Sequence, residues 1–163
     1  MKIVKKNGKK IHILGISFLQ SCSNFGFLFC FEENCPNFSH PYIDFMILSS
    51  HGSSTISSGK VKLDRDITTP LEGKWVLLVD DIPDSGRTLF FAKFHLSQFN
   101  PEEIKICVFL DKPLRRVVEI KADYRCFEIE DWFVVGYGLG WDNRFRDLPY
   151  VAIIDESIYL LSN

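Results

Sequence analysis

The sequence lacks the marks of several large protein classes. It has no Cys-x-x-Cys pair, and its five cysteines (Cys22, Cys30, Cys35, Cys107 and Cys126) are odd in number. That speaks against a disulfide framework and a cysteine-rich zinc site, and for a reducing compartment, with the cytoplasm as the expected location. No run reaches the roughly 20 predominantly apolar residues of a membrane span, so no membrane partner is expected. Charge of one sign is missing too: 19 Lys and Arg stand against 21 Asp and Glu, for a net charge of −2. A nucleic-acid partner held by bulk positive charge is therefore not expected. There is no internal repeat and no low-complexity tract.

What is present suits one α/β domain over residues 1–163. The chain is 46% apolar with 15 Phe, enough large side chains to fill a core. The start, MKIVKKNGKK followed by IHILGISFLQSC, has the basic head and apolar middle of a secretory leader. His12, Ser17 and Gln20 interrupt the run and Phe-rich sequence follows it, so the better reading is a turn at Asn7-Gly8 and a buried strand over residues 11–18. Strands are expected at 42–48 (YIDFMIL) and 75–79 (WVLLV); the second is a continuous apolar run, as for a strand buried on both faces. Residues 49–59 (SSHGSSTISSG) read as a polar, mobile loop, and 60–73 could hold short strands. Leu89, Ala92, Leu96 and Phe99 recur at helical spacing until Asn100-Pro101 stops the helix, and 104–110 (IKICVFL) is the next strand. This is a βαβ unit on a parallel sheet. Later strands are expected at 127–129, 133–135 and 151–154.

Between the 75–79 strand and the helix lies DDIPDSGRT. Ligands of open parallel sheets sit at the carboxyl ends of strands. Ser85, Gly86, Arg87 and Thr88 offer backbone N–H groups and hydroxyls to a phosphate at a helix N-terminus. Asp80 and Asp81 repel each other unless a cation or ligand hydroxyls lie near. Asp84 could accept a proton or cap the helix.

VLLVDDIPDSGRTL resembles the phosphoribosyl-diphosphate loop of type I phosphoribosyltransferases. The resemblance implies that family's fold, a mainly parallel twisted sheet flanked by helices, here with a small, reduced hood. It implies that Ser85, Gly86, Arg87 and Thr88 hold the 5′-phosphate. Asp80 and Asp81 would contact the ribose hydroxyls directly or through Mg²⁺, and Asp84 would sit near N7 of a purine as general base. FLDKPLRR is similar to the segment whose lysine, here Lys112, reads the purine 6-oxo group in hypoxanthine/guanine phosphoribosyltransferases. An ammonium donates well to that oxygen and poorly pairs a 6-amino group; the plainer reading of Lys112 is a solvated turn. In FEIEDWFVVGYGLGWDNRFRDLP the resemblance implies that Phe133 stacks on the base, the backbone near Val134 reads its edge, and Arg146 binds pyrophosphate. Ser50 and His51 fall where the family has the Ser-Tyr of its closing loop.

The implied activity is transfer of a phosphoribosyl group from phosphoribosyl diphosphate to hypoxanthine or guanine, by a homo-oligomer (dimer or tetramer) acting on small molecules. Three departures point to a second reading, a non-catalytic or weakly active binding relative. Gly140 stands where the family carries a metal-binding Asp, with Asp142 nearby. No Lys accompanies GISFLQSCSN, where the family has Leu-Lys-Gly. Residues 1–40 diverge as a whole. If the missing carboxylate limits metal binding, Gly140→Asp is expected to raise activity.

Overall fold

The computed structural model describes residues 11–17, 42–50, 61–142 and 144–155. Six strands form the main sheet: β1 (Ile11–Ser17), β2 (Tyr42–Ser50), β3 (Val61–Arg65), β4 (Trp75–Asp80), β5 (Glu103–Asp111) and β6 (Tyr124–Glu128). Their order is β3-β2-β1-β4-β5-β6. All pairs are parallel except β2 with β3, the antiparallel edge. The stretch weighed as a leader contains the central strand: Ile13 of β1 faces Ile43 on one side and Leu77 on the other. Helix α1 (Arg87–Ser97) connects β4 to β5, and β7 (Val134–Val135) pairs antiparallel with β8 (Ala152–Ile153).

Alternation along the strands sorts the core. Met46 and Leu48, Val76 and Leu78, and Ile106 and Val108 share one cluster with Leu89, Ala92 and Leu96 of α1. Side chains two apart on a strand share a face, and three or four apart on a helix share a stripe, so the two periods meet here. Phe99 departs from the expected stripe. The helix ends at Ser97, and Phe99 is 38% exposed. A second cluster joins Leu110, Val134 and Leu139, flanked by Ile82, Phe109, Ile129 and Val151. It packs the acidic loop against the β7 region.

One further expectation shifts, and the short strand expected within 60–73 is present as β3. The strand expected at 127–129 is β6, which begins at Tyr124; as an exposed edge it carries no alternating apolar signal. The turn-rich stretch after β3 is ordered by Asp44 on β2. Its carboxylate accepts the amides of Thr68 at 2.7 Å, Thr69 at 2.8 Å and Phe45 at 2.8 Å. Burial alone would raise the Asp44 pKa, but these amides bring it down to about 2. Among the described residues no helix is long and apolar enough to cross a membrane.

Candidate functional site

β1 and β4 are neighbours, but the chain leaves β1 toward β2 and leaves β4 toward β5. That reversal opens a crevice at their carboxyl ends, and the acidic loop leaves β4 at that end. Asp80, the last residue of β4, is 3% exposed, and its Oδ1 has no hydrogen-bond partner. Burial, and then the charge of Asp81, push its pKa well above the usual carboxylate value; the Asp81 amide and Arg116 pull the other way and lose. Asp81 is half-buried. Its Oδ1 accepts the Ile82 amide at 2.7 Å and its carbonyl accepts the Leu110 amide at 2.9 Å.

The chain then enters α1 through Gly86, whose φ of +79° favours glycine. A Cβ there would lie 2.6 Å from Arg116 Cδ and 2.8 Å from Ile120 Cγ2, so the site demands a bare backbone. No side chain caps α1 and no acid occupies its first turn. The Ser85 hydroxyl lies at 3.4 Å from the Arg87 amide, a weak contact. This leaves the positive end of an eleven-residue helix available to an anion, beside the two carboxylates.

Lys112 follows β5 directly. It is buried, not the solvated residue of a plain turn, and its ammonium pairs with Asp84 at 3.1 Å. A buried ammonium requires such a partner. The Asp84 side chain remains 53% exposed. An acceptor and a donor thus stand side by side at the crevice, one from the β4 loop and one from the end of β5.

Residues 38–144 match the phosphoribosyl transferase domain. The hypoxanthine-guanine phosphoribosyltransferase of Streptococcus thermophilus (strain CNRZ 1066) is 43% identical over 121 residues, 74% of this chain and 67% of the relative. That of Bacillus subtilis (strain 168) is 45% identical over 117 residues, 72% of this chain and 65% of the relative. The chain belongs to the hypoxanthine-guanine phosphoribosyltransferases. Solved structures of the family share its fold. A hypoxanthine phosphoribosyltransferase from Staphylococcus aureus matches with a TM-score of 0.82 at 34% identity, over 93% of this chain and 79% of that one. One from Trypanosoma cruzi, in complex with the product IMP, matches with a TM-score of 0.78 at 31% identity, over 93% and 81%.

Within this phosphoribosyltransferase the sequence-derived residues fall into three groups. Asp80, Asp81, Asp84, Ser85, Gly86, Arg87, Thr88 and Lys112 lie along the β4 loop, the start of α1 and the end of β5. Phe133, Val134 and Arg146 lie in the β7 region and the hairpin after it. Phe133 is 41% exposed, which suits a stacking ring, whereas the Val134 side chain is core and offers only its backbone. Arg146 is folded onto its own hairpin: Nη1 donates to the Gly138 carbonyl at 2.8 Å, and Nε is buried without a partner. Ser50 ends β2, and His51 lies outside the described residues; of GISFLQSCSN, where the family has its Leu-Lys-Gly, only residues 15–17 are described, as the end of β1.

Gly140 corrects an expectation. A Cβ there would meet Arg146 Cγ at 2.5 Å and the Arg144 carbonyl at 2.7 Å. The backbone oxygen cannot step aside cheaply, so an added carboxylate has no room in this conformation and Gly140→Asp would disturb the hairpin. Asp142 is exposed at a φ of +46°.

Sequence reasoning overlooked Arg116 and Asp111. Arg116 is nearly buried against Asp111 and donates to the Pro83 carbonyl at 3.0 Å. The faint signal is an acid that ends a strand, five residues before an arginine.

Proposed function

We propose that this chain transfers the 5-phosphoribosyl group of phosphoribosyl diphosphate to hypoxanthine or guanine, giving IMP or GMP and pyrophosphate. The observation that carries the reading is the Asp84–Lys112 pair at 3.1 Å, set beside an uncapped helix N-terminus. A 6-oxopurine presents an N7 proton next to its 6-oxygen, and a carboxylate beside an ammonium complements that edge. Adenine, with an amino group at that position, would face the ammonium donor to donor.

In the reaction N9 of the purine bonds to C1 of the ribose while the bond from C1 to pyrophosphate breaks, its electron pair leaving with pyrophosphate. Asp84 receives the purine proton. Ser85, Gly86, Arg87 and Thr88 hold the 5′-phosphate and so fix the sugar for attack. Phe133 covers the base and the backbone at Val134 meets its far edge. Arg146 would turn from the Gly138 carbonyl toward pyrophosphate. Ser50 and His51 would close over the centre and exclude water.

Mg²⁺ fits this site through Asp80 and Asp81. Asp80 has a buried oxygen without a partner, in a position where a cation would favour ionisation. Among the described residues no group of three or more His, Cys, Asp or Glu could hold a metal unaided. Mg²⁺ commonly takes one or two carboxylates, which Asp80 and Asp81 offer, and completes its shell with water and substrate phosphates. When bound, the ion would offset negative charge on pyrophosphate.

We also assign the chain to the cytoplasm as a homo-oligomer (dimer or tetramer). The half-exposed Phe90 and Phe94 on α1 favour association, and the odd number of cysteines without a Cys-x-x-Cys pair suits a reducing compartment.

The test is IMP formation from hypoxanthine, phosphoribosyl diphosphate and Mg²⁺. Turnover is expected; tight IMP or GMP binding without turnover would instead establish a binding-only relative. Lys112→Ala should depress hypoxanthine use at least about tenfold more than any adenine use, and equal losses would remove Lys112 from base recognition.

A further inference from the structure

Arg116 touches both halves of the site. Its Nη1 donates to the Pro83 carbonyl at 3.0 Å, inside the loop between the paired acids and Asp84. Its Nη2 pairs with the buried carboxylate of Asp111, the last residue of β5 and the neighbour of Lys112. Its aliphatic stem fills the space over Gly86, where an added Cβ would lie 2.6 Å from Cδ. The next amide, Val117 N–H, donates to the Ser85 carbonyl at 3.0 Å. The only other cation on the Asp111 carboxylate among the described residues is Arg125, at 3.5 Å and half exposed.

We propose that Arg116 is a positioning residue for phosphoribosyl transfer: by holding the Pro83 carbonyl and the Asp111 carboxylate together, it sets the spacing between the phosphate cradle of residues 85–88 and the Lys112–Asp84 pair. The proposal rests on the function given above. The sugar is located from its phosphate end by the β4 loop, while the base is located largely from the end of β5. Attack requires N9 and C1 to approach within about 3–3.5 Å, and a displacement near 1 Å costs on the order of 100-fold in rate. Neither loop fixes that separation by itself. A planar guanidinium with several donors can hold two acceptors at a fixed mutual distance, which an ammonium on a flexible stem cannot.

A stability role alone would look different. Removing only one partner of a buried ion pair strands a charge, while replacing both by neutral groups is often tolerated. Arg116→Gln by itself is therefore a poor test, because Asp111 keeps a buried charge with Arg125 alone. The informative protein is the double variant Asp111→Asn with Arg116→Gln, compared with the parent and with Arg116→Lys. The measurements are melting temperature, ribose 5-phosphate affinity, and kcat for IMP formation at saturating substrates.

In the double variant we expect near-parental melting and ribose 5-phosphate affinity within about threefold, with kcat reduced about 10- to 100-fold. Arg116→Lys should fold and still show most of the kcat loss, because it satisfies one acceptor and not both. Recovery of kcat together with melting temperature in the double variant would overturn the proposal, leaving Arg116 a purely structural residue. So would a fall in ribose 5-phosphate affinity that matches the fall in kcat, which would confine Arg116 to cradle support. Should the double variant fail to fold, parental kcat in Arg116→Lys overturns it equally. A parent that makes no IMP defeats the transferase reading, and the positioning role with it; that failure is visible in the parent before any variant is compared.

Discussion

The β4 loop and the hairpin after β7 are built in opposite ways. The loop of residues 81–86 is braced from outside: Leu110 donates to Asp81, Arg116 to Pro83 and Val117 to Ser85. The hairpin is closed largely upon itself. Gly136 and Leu139 exchange amide and carbonyl contacts, Trp141 and Arg144 do the same, and Gly138 donates to Arg146. It also concentrates backbone strain, with Tyr137 at φ +52°, Asp142 at +46° and Phe145 at +66°. A braced loop suits groups that must already be in place when substrate arrives. A self-closed hairpin suits an arginine proposed to exchange the Gly138 carbonyl for pyrophosphate.

The contrast can be broken at the braced side first. Asp84→Asn should lower kcat for IMP formation by about 100-fold or more while IMP affinity changes little, since its proposed task is the proton; an unchanged rate removes Asp84 from the chemistry. Gly86→Ala should follow. The added methyl needs a left-handed φ and pushes on Arg116 and Ile120, so we expect about 1–3 kcal/mol of destabilisation and weaker ribose 5-phosphate binding. Denaturant unfolding and titration would check both, and parental values would mean that the brace yields easily.

Gly140→Asp sharpens the other side. It should bring no gain in activity and cost about 1–3 kcal/mol, because the Arg144 carbonyl stands 2.7 Å from the new Cβ. A more active, equally stable protein would show that the hairpin opens to admit a side chain.

The smallest effect lies outside both regions. The folded pKa of Asp44, about 2, is below its ordinary value of 3.8. Its contribution to stability is thus complete above pH 3.8 and fades as pH falls toward 2. Asp44→Asn should cost about 1 kcal/mol near neutrality and bring parent and variant closer together across that window in acid unfolding.

Much of this was legible in the sequence. WVLLV announced a buried strand because it is apolar on both faces, and Leu89, Ala92 and Leu96 marked a helix because their spacing matches its turn. The acidic loop stood out because paired carboxylates at a strand end are costly without a purpose. β6 was misplaced because an exposed edge strand leaves no apolar rhythm. Arg116 was missed because its meaning depends on Pro83, thirty-three residues away. Gly140→Asp looked like a repair because a missing ligand is visible in sequence and a crowding carbonyl is not.

β1 joins two groups of strands that do not otherwise meet in the sheet: β2 and β3 on one side, and β4, β5 and β6 on the other. Its second flank is filled only when Trp75 comes to lie beside Ile11. A ribosome adding residues in order must therefore make the central strand well before that partner exists. The growing chain carries an open, sticky edge throughout that interval, the period when self-association or a chaperone would compete for it.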